Sequence, residues 1–351
     1  MGRTAFYPFI EGLRGFSFLW VLMYHIHYHF SFPINSSLDM FMRTGELGVS
    51  LFFLISGFLI TGILIKDFDT PIDVRVFYVR RALKIIPSYV FLLLVTMAIF
   101  YKSALWQHVA GYLLFLQNYL RIVPVWGHLW SISVEEHFYC LFPLLLWGIF
   151  RIWPLAKQRH VALVVTLLVV WGLLVGLRHL GAFNVVWFPG QAAWQQMTHF
   201  RMSAIILGVM IKLFEGQIMR YGKKVTAWAG IAMAVLMVYY FSAFFWDFNM
   251  DIFLWGELSM AAVFLLSYGN AARSHELLGS KTLRFVGKNS YGLYLWHYPL
   301  VIFFQPFWKT YGKLPTISAY IVTVFACGIL STMIVEQYFL KVRDRWVPAR
   351  I

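Results

Sequence analysis

Apolar runs of about twenty residues recur along this chain from Phe6 to Leu340, separated by short polar loops and never by a polar linker. A helix needs roughly 20 mainly apolar residues to cross about 30 Å of hydrocarbon. The pattern therefore predicts about ten membrane-spanning helices, near 8–30, 47–65, 85–101, 134–150, 160–178, 199–215, 225–245, 252–268, 288–308 and 316–340. The stretch WQHVAGYLLFLQNYL (106–120) is apolar but short, which predicts an interfacial or re-entrant helix rather than an eleventh span. No internal repeat or low-complexity segment is present.

Composition agrees with this pattern. The 351 residues are 60% hydrophobic and 13% charged, against about 25% charged in soluble domains. We read an all-α integral membrane protein, a single domain over 1–351 with no appended soluble domain. The net charge of +14 follows from topology. With the N-terminus inside, 21 of the 29 lysines and arginines fall in cytoplasmic loops and six on the far side, while Arg14 and Arg201 lie within spans. Both termini are expected to be cytoplasmic, and nucleic acid is not an expected partner. Cys140 and Cys327 sit inside apolar runs and read as buried thiols. The first apolar stretch lacks a small-residue cleavage site and reads as a retained helix.

Ionisable groups inside a bilayer cost at least about 2.5–3.5 kcal/mol each on insertion scales, so each asks for a function or a partner. Arg14 and His25 are eleven residues apart in the first span, almost three turns, so they share a face about 16 Å apart along the axis. The plainer reading is an arginine reaching the inner surface and a histidine bonding a neighbour's carbonyl. His27 and His29 read as interfacial residues.

In the fourth span Ser131, Glu135, Phe138, Tyr139 and Phe142 recur at helical spacing, which turns Glu135 inward with the aromatics. Glu136 is rotated about 100° away and reads as a helix-start acid near the surface, favoured by the helix dipole. The helix start falls at the level of His25, so an acid and an imidazole are expected to meet there, a pair suited to removing a hydroxyl proton. Ser290, Tyr294 and His297 form a polar stripe that reads either as a substrate path or as a hydrogen-bonded helix seam. Arg201 and Glu336 invite inter-helical ion pairs. Arg80, Arg81 and Lys84 fall within about one turn at the inner surface, where topology and anionic lipid compete with a phosphorylated cytoplasmic ligand.

Seven segments taken in order resemble the membrane acyltransferase-3 family of bacterial O-acyltransferases. They are EGLRGFSFLWVLMYH, with the family's Arg-x10-His spacing at Arg14 and His25; VSLFFLISGFLIT; FYVRRALKIIP; HLWSISVEEHFY; FRMSAIILGVMI; FVGKNSYGLYLWHYPL; and VEQYFL. The chain departs from the family in having Glu11 for the usual aspartate before Gly-Leu-Arg, and Lys84 for the second arginine of Arg-x-x-Arg; lysine keeps the charge but not the bidentate fork.

The resemblance implies transfer of an acyl group, with acetyl-CoA as the expected donor, from the cytoplasm to a hydroxyl of a surface or lipid-linked glycan across a bacterial inner membrane. His25 would be general base or acyl carrier, assisted by Glu135. Arg14 would face the thioester, and Arg80, Arg81 and Lys84 would hold the CoA phosphates. Arg201, Ser131, Ser290, Tyr294 and His297 are left as substrate path or polar seam. No metal is expected, because no His, Cys, Asp or Glu set has ligand spacing on one helix face. The rival class is a transporter or glycan flippase that uses the same charges as a proton or substrate pathway.

Overall fold

The computed structural model describes residues 8–31, 37–70, 73–101, 105–120, 123–179, 196–246, 252–269 and 271–348. The predicted far-side loops 179–198 and 246–251 fall largely outside these residues, as do Arg3, Lys102, Arg121 and Arg350. The described residues contain helices and no strand.

Each predicted apolar stretch coincides with a helix. The first half holds α1 (Pro8–Phe30), α2 (Ser37–Arg43), α3 (Leu47–Leu64), α4 (Val74–Ile99), α5 (Val109–Leu113), α6 (Trp130–Ile152) and α7 (Ala156–His179). The second half continues with α8 (Thr198–Leu213), α9 (Glu215–Arg220), α10 (Gly222–Trp246), α11 (Ile252–Gly269), α12 (Ala271–Leu278), α13 (Lys281–Lys288) and α14 (Ser290–Phe304). It closes with α15 (Trp308–Tyr311), α16 (Lys313–Ser331) and α17 (Gln337–Trp346), the last two joined by a π-helical turn over Thr332–Glu336. Among the described residues, four segments are by themselves long and apolar enough to cross a membrane: Phe41–Leu64, Val74–Ile99, Ala156–Arg178 and Lys313–Trp346. Leucines and valines on α4, α6, α7 and α10, among them Leu94, Leu141, Leu168 and Val235, point outward and exposed, as a surface facing lipid requires.

The stretch at 106–120 does not form the expected helix. It breaks into a 3-10 turn at Leu105–Gln107, the five residues of α5 and a series of turns. Buried Gln117 and Asn118 donate to the carbonyls of Leu129 (3.0 Å) and Trp130 (2.9 Å), tying this loop to the start of α6.

Without a hydrophobic force between helices in lipid, small residues that let backbones approach supply the packing. Here they do so in reciprocal pairs. A β-carbon on Gly57 of α3 would sit 2.0 Å from the Ile205 carbonyl of α8, and one on Gly208 would sit 2.0 Å from the Leu54 carbonyl. Gly15 and Gly287 meet the backbones of α13 and α1 in the same way, at 2.2 Å from Leu283 O and 1.8 Å from Glu11 O. α3 is thereby held against α8, and α1 against α13. Glu11 also pairs with Arg284 (3.3 Å) across the second seam.

Buried charges are paired as their cost demands. Arg201, 1% exposed, meets Glu46 at 3.1 Å and lies over the rings of Trp130 and Phe253. Arg178, the last residue of the predicted span 160–178, is enclosed with Glu257 at 3.3 Å, and Ser203 donates to the same carboxylate at 2.7 Å.

Candidate active site

α1, α3, α4, α6 and α14 surround a cavity of about 150 Å³, measured as the space open to the centre of a water molecule. Its α3 wall runs from Val49 to Ile63, about 21 Å at 1.5 Å per residue.

Each wall contributes a polar group. Arg14 of α1 donates to Ser290 Oγ of α14 at 3.2 Å. Ser56 of α3 donates to Glu135 Oε1 of α6 at 2.5 Å. Arg81 of α4 lies over the Tyr139 ring, with Cζ 3.9 Å from its centre. Lys84 and Tyr291 complete the lower lining, with the Tyr291 hydroxyl donating to Ile85 O at 2.9 Å. Arg14 and Arg81 both lie within electrostatic reach of Glu135, while Lys84 and Arg14 lie within reach of Glu336. Arg14, Arg81 and Lys84 thus meet Glu135 in the lining and Glu136 and Glu336 beside it, and an anionic group entering at Arg81 and Lys84 would gain charge-assisted hydrogen bonds.

At its other end the cavity stops at Ser131 and Tyr294, whose hydroxyls are 2.7 Å apart. The Tyr294 ring lies 5.0 Å from His297 and 5.5 Å from His128. His297 in turn lies 5.1 Å from His25, which also packs edge-on to Tyr298 at 4.8 Å. The histidines form a second layer, one helical turn beyond the cavity along α14.

The predicted residues divide between these two places. Arg14, Arg81, Lys84, Ser131, Glu135, Ser290 and Tyr294 share the cavity, while His25 and His297 share the imidazole layer. The expected meeting of His25 with Glu135 is not what the geometry gives: the charged neighbours of Glu135 are Arg14 and Arg81, and the titratable neighbours of His25 are His297, His29 and His128. The cause is the start of α6 at Trp130, four residues before the predicted start. This places both glutamates in the second turn instead of at the helix mouth. Glu136 is likewise enclosed, with Oε1 buried without a hydrogen bond and Arg81 as its nearest cation, instead of lying at the surface. Arg80 turns away from its two basic neighbours, pairing with Asp344 of α17 at 3.1 Å and donating to the Val347 carbonyl. Arg201 stays outside the cavity lining, in its ion pair with Glu46.

Ser56, Tyr291 and His128 were not singled out by the sequence. Only His128 carried a signal, as an ionisable residue just ahead of an apolar run. Among the described residues, no group of three or more His, Cys, Asp or Glu is arranged to hold a metal ion.

Residues 7–335 match the acyltransferase-3 family, described as an acyltransferase domain. The chain belongs to this family, and with its apolar helices it is a membrane protein of the acyltransferase class. Curated relatives include the O-acetyltransferase OatA of Staphylococcus aureus strains NCTC 8325 and COL, each 27% identical over 94% of this chain and 56% of the relative. A second S. aureus COL protein, provisionally named O-acetyltransferase SACOL0978, is 24% identical over 89% of this chain and 53% of its own length. The chain therefore spans about half the length of these relatives. No solved structure matches it.

Proposed function

We propose that the chain is a multi-pass O-acetyltransferase of a bacterial inner membrane, with ten spans in one domain and both termini cytoplasmic. It moves acetyl from cytoplasmic acetyl-CoA to a hydroxyl of a surface or lipid-linked glycan on the far side. The observation that carries this reading is one cavity that joins Lys84, Arg81 and Arg14 at one end to Ser131 and Tyr294 at the other, with His297 a turn further along α14 and His25 in ring contact with it.

In this reading Arg81 and Lys84 hold CoA phosphates, by charge-assisted hydrogen bonds worth about 1.5–3 kcal/mol each. The uncharged thioester arm extends up the cavity past Arg14. Glu135, held by Ser56, fixes Arg14 beside that arm, short of the thioester carbonyl. His25 takes the proton of the acceptor hydroxyl as its oxygen attacks that carbonyl. The C–S bond then breaks, the proton that His25 took passes to the departing sulfur, and the base is restored as the free thiol leaves toward the cytoplasmic end. A covalent acyl-histidine is the variant in which His25 itself attacks first.

A transporter using the same charges requires no CoA. Incubating the purified protein in lipid with radiolabelled acetyl-CoA and membranes of the native host separates the two classes. Label transferred to glycan supports the enzyme, and an absence of CoA binding and transfer sinks it. Surface glycans from cells with and without the gene should differ by the mass of an acetyl group per modified residue.

A further inference from the structure

A neutral imidazole always has one bare ring nitrogen to act as a base, and a neighbour that bonds the other nitrogen decides which one it is. Carboxylates commonly do this, but none is among the charged neighbours of His25. Three other imidazoles surround it, His297, His29 and His128, and main-chain carbonyls of α14 fix the first and last of them.

Their tautomers can be read from their partners. His297 Nδ1 lies 2.6 Å from the Tyr294 carbonyl, and His128 Nε2 lies 3.0 Å from the Leu295 carbonyl. A carbonyl only accepts, so both of these nitrogens carry protons. Two or three imidazolium charges packed at ring separations of 5.1 Å, away from water, would repel strongly. As neutral rings, His297 is bare at Nε2 and His128 is bare at Nδ1. Both bare nitrogens are buried with no hydrogen-bond partner, and so is Nδ1 of His25. Buried lone pairs need donors. None of the three nitrogens reaches another directly, so the link is one water that accepts from a proton on His25 Nδ1 and donates to the two bare nitrogens.

We infer that His297 and His128, with tautomers pinned by main-chain carbonyls of α14, are positioning residues that hold the proton of His25 on Nδ1 and leave Nε2 bare as the reactive nitrogen. Tyr298 keeps the layer in place, edge-on to His25 and stacked on His128 at 5.2 Å. The inference rests on His25 being the reactive group of the proposed transferase, and it assigns to two neutral histidines the orienting task first expected of Glu135.

Full-length protein with ¹⁵N-labelled histidine in lipid bilayers provides the test. Solid-state NMR, with the His25 signals assigned by their loss in His25→Gln, reads which ring nitrogen is protonated. The expected result is Nδ1–H; an Nε2–H majority in the unmodified protein overturns the inference.

Amide substitutions add a crossed pattern, because the Asn oxygen stands near the place of Nδ1 and the Gln oxygen near that of Nε2. His297→Gln and His128→Asn keep an acceptor where the bare nitrogen was and should stay near the unmodified rate of acetyl transfer. His297→Asn and His128→Gln should lose about tenfold in turnover with KM for acetyl-CoA unchanged, the upper end of one neutral hydrogen bond. Equal losses from both amides at each site would overturn it. A fully active His25→Gln protein would instead defeat the reading of His25 as base, so the two failures are distinguishable.

Discussion

Ser56 on α3 donates a 2.5 Å hydrogen bond to Glu135 on α6, and through it two helices fix the one acid that lines the cavity. Hydrogen bonds to charged groups are worth about 1.5–3 kcal/mol. Ser56→Ala is therefore expected to lower turnover about 10- to 100-fold while leaving the melting temperature of the purified protein nearly unchanged. Glu135→Gln should impair turnover as well. The double variant should cost less than the product of the single effects, because the pair acts as a unit. Strictly multiplicative losses would mean that the bond has no catalytic role.

The basic triplet on α4 makes a sharper prediction than its spacing alone allowed. Arg81 lines the cavity and Arg80 does not. Arg81→Ala should weaken acetyl-CoA binding by roughly 1.5–3 kcal/mol, and Arg81→Lys should keep part of that energy. Arg80→Ala should leave donor affinity unchanged, with a stability cost of about 0–1 kcal/mol from its half-exposed pair with Asp344. Titration of acetyl-CoA by calorimetry in detergent measures both, and equal losses at the two positions would count against the donor site.

His25→Gln is expected to preserve expression, melting temperature and acetyl-CoA affinity while reducing turnover by about 10² to 10⁴, the usual cost of losing a general base. Steady-state kinetics of label transfer decide it. Near-normal turnover in the folded variant would remove His25 from the chemistry.

The glycine seam between α3 and α8 has no room for a side chain. Gly208→Leu should destabilise by more than the ~1–3 kcal/mol typical of overpacking, because the obstacle is the backbone carbonyl of Leu54 and not a side chain that can rotate. Gly216, which has open space around its β-position, is the matched control, and Gly216→Leu should leave the melting temperature almost unchanged.

Topology is testable by cysteine labelling from each side in a background lacking Cys140 and Cys327. Residues 66–84 and 212–224 should label from the cytoplasm, and 179–198 from outside. Outside labelling of 212–224 would reverse the orientation.

The helices were legible because each is written as a long apolar run, and lipid allows the backbone few alternatives to a helix. The start of α6 was not. Ser131 and Ser133 in its first turn are indifferent helix formers, and they hid the turn that carries both glutamates away from the helix mouth. Arg14, Arg81, Glu135 and Tyr294 were visible as charges or stripes in apolar surroundings. Ser56 was not, since a serine in a membrane helix ordinarily bonds its own backbone, as Ser17 does with Leu13 at 2.8 Å. Which partner Glu135 would take was equally hidden, because periodicity fixes the face of a helix and not the helix opposite. Glu257 went unnoticed inside α11, and only the fold shows why it is tolerated, in its contact with Arg178.

The length of the cavity has one more consequence. Some 21 Å of α3 already border hollow space, out of about 30 Å of hydrocarbon, so the layer of His25, His128, His297 and Tyr298 is the remaining stopper. On the proposed function that layer has to pass a two-carbon group while holding back protons and salt, with the aromatic edges of Phe18 on His297 (6.0 Å) and Tyr298 on His25 (4.8 Å) packed across it. Trimming those rings would make the membrane leak before it made the catalyst fail.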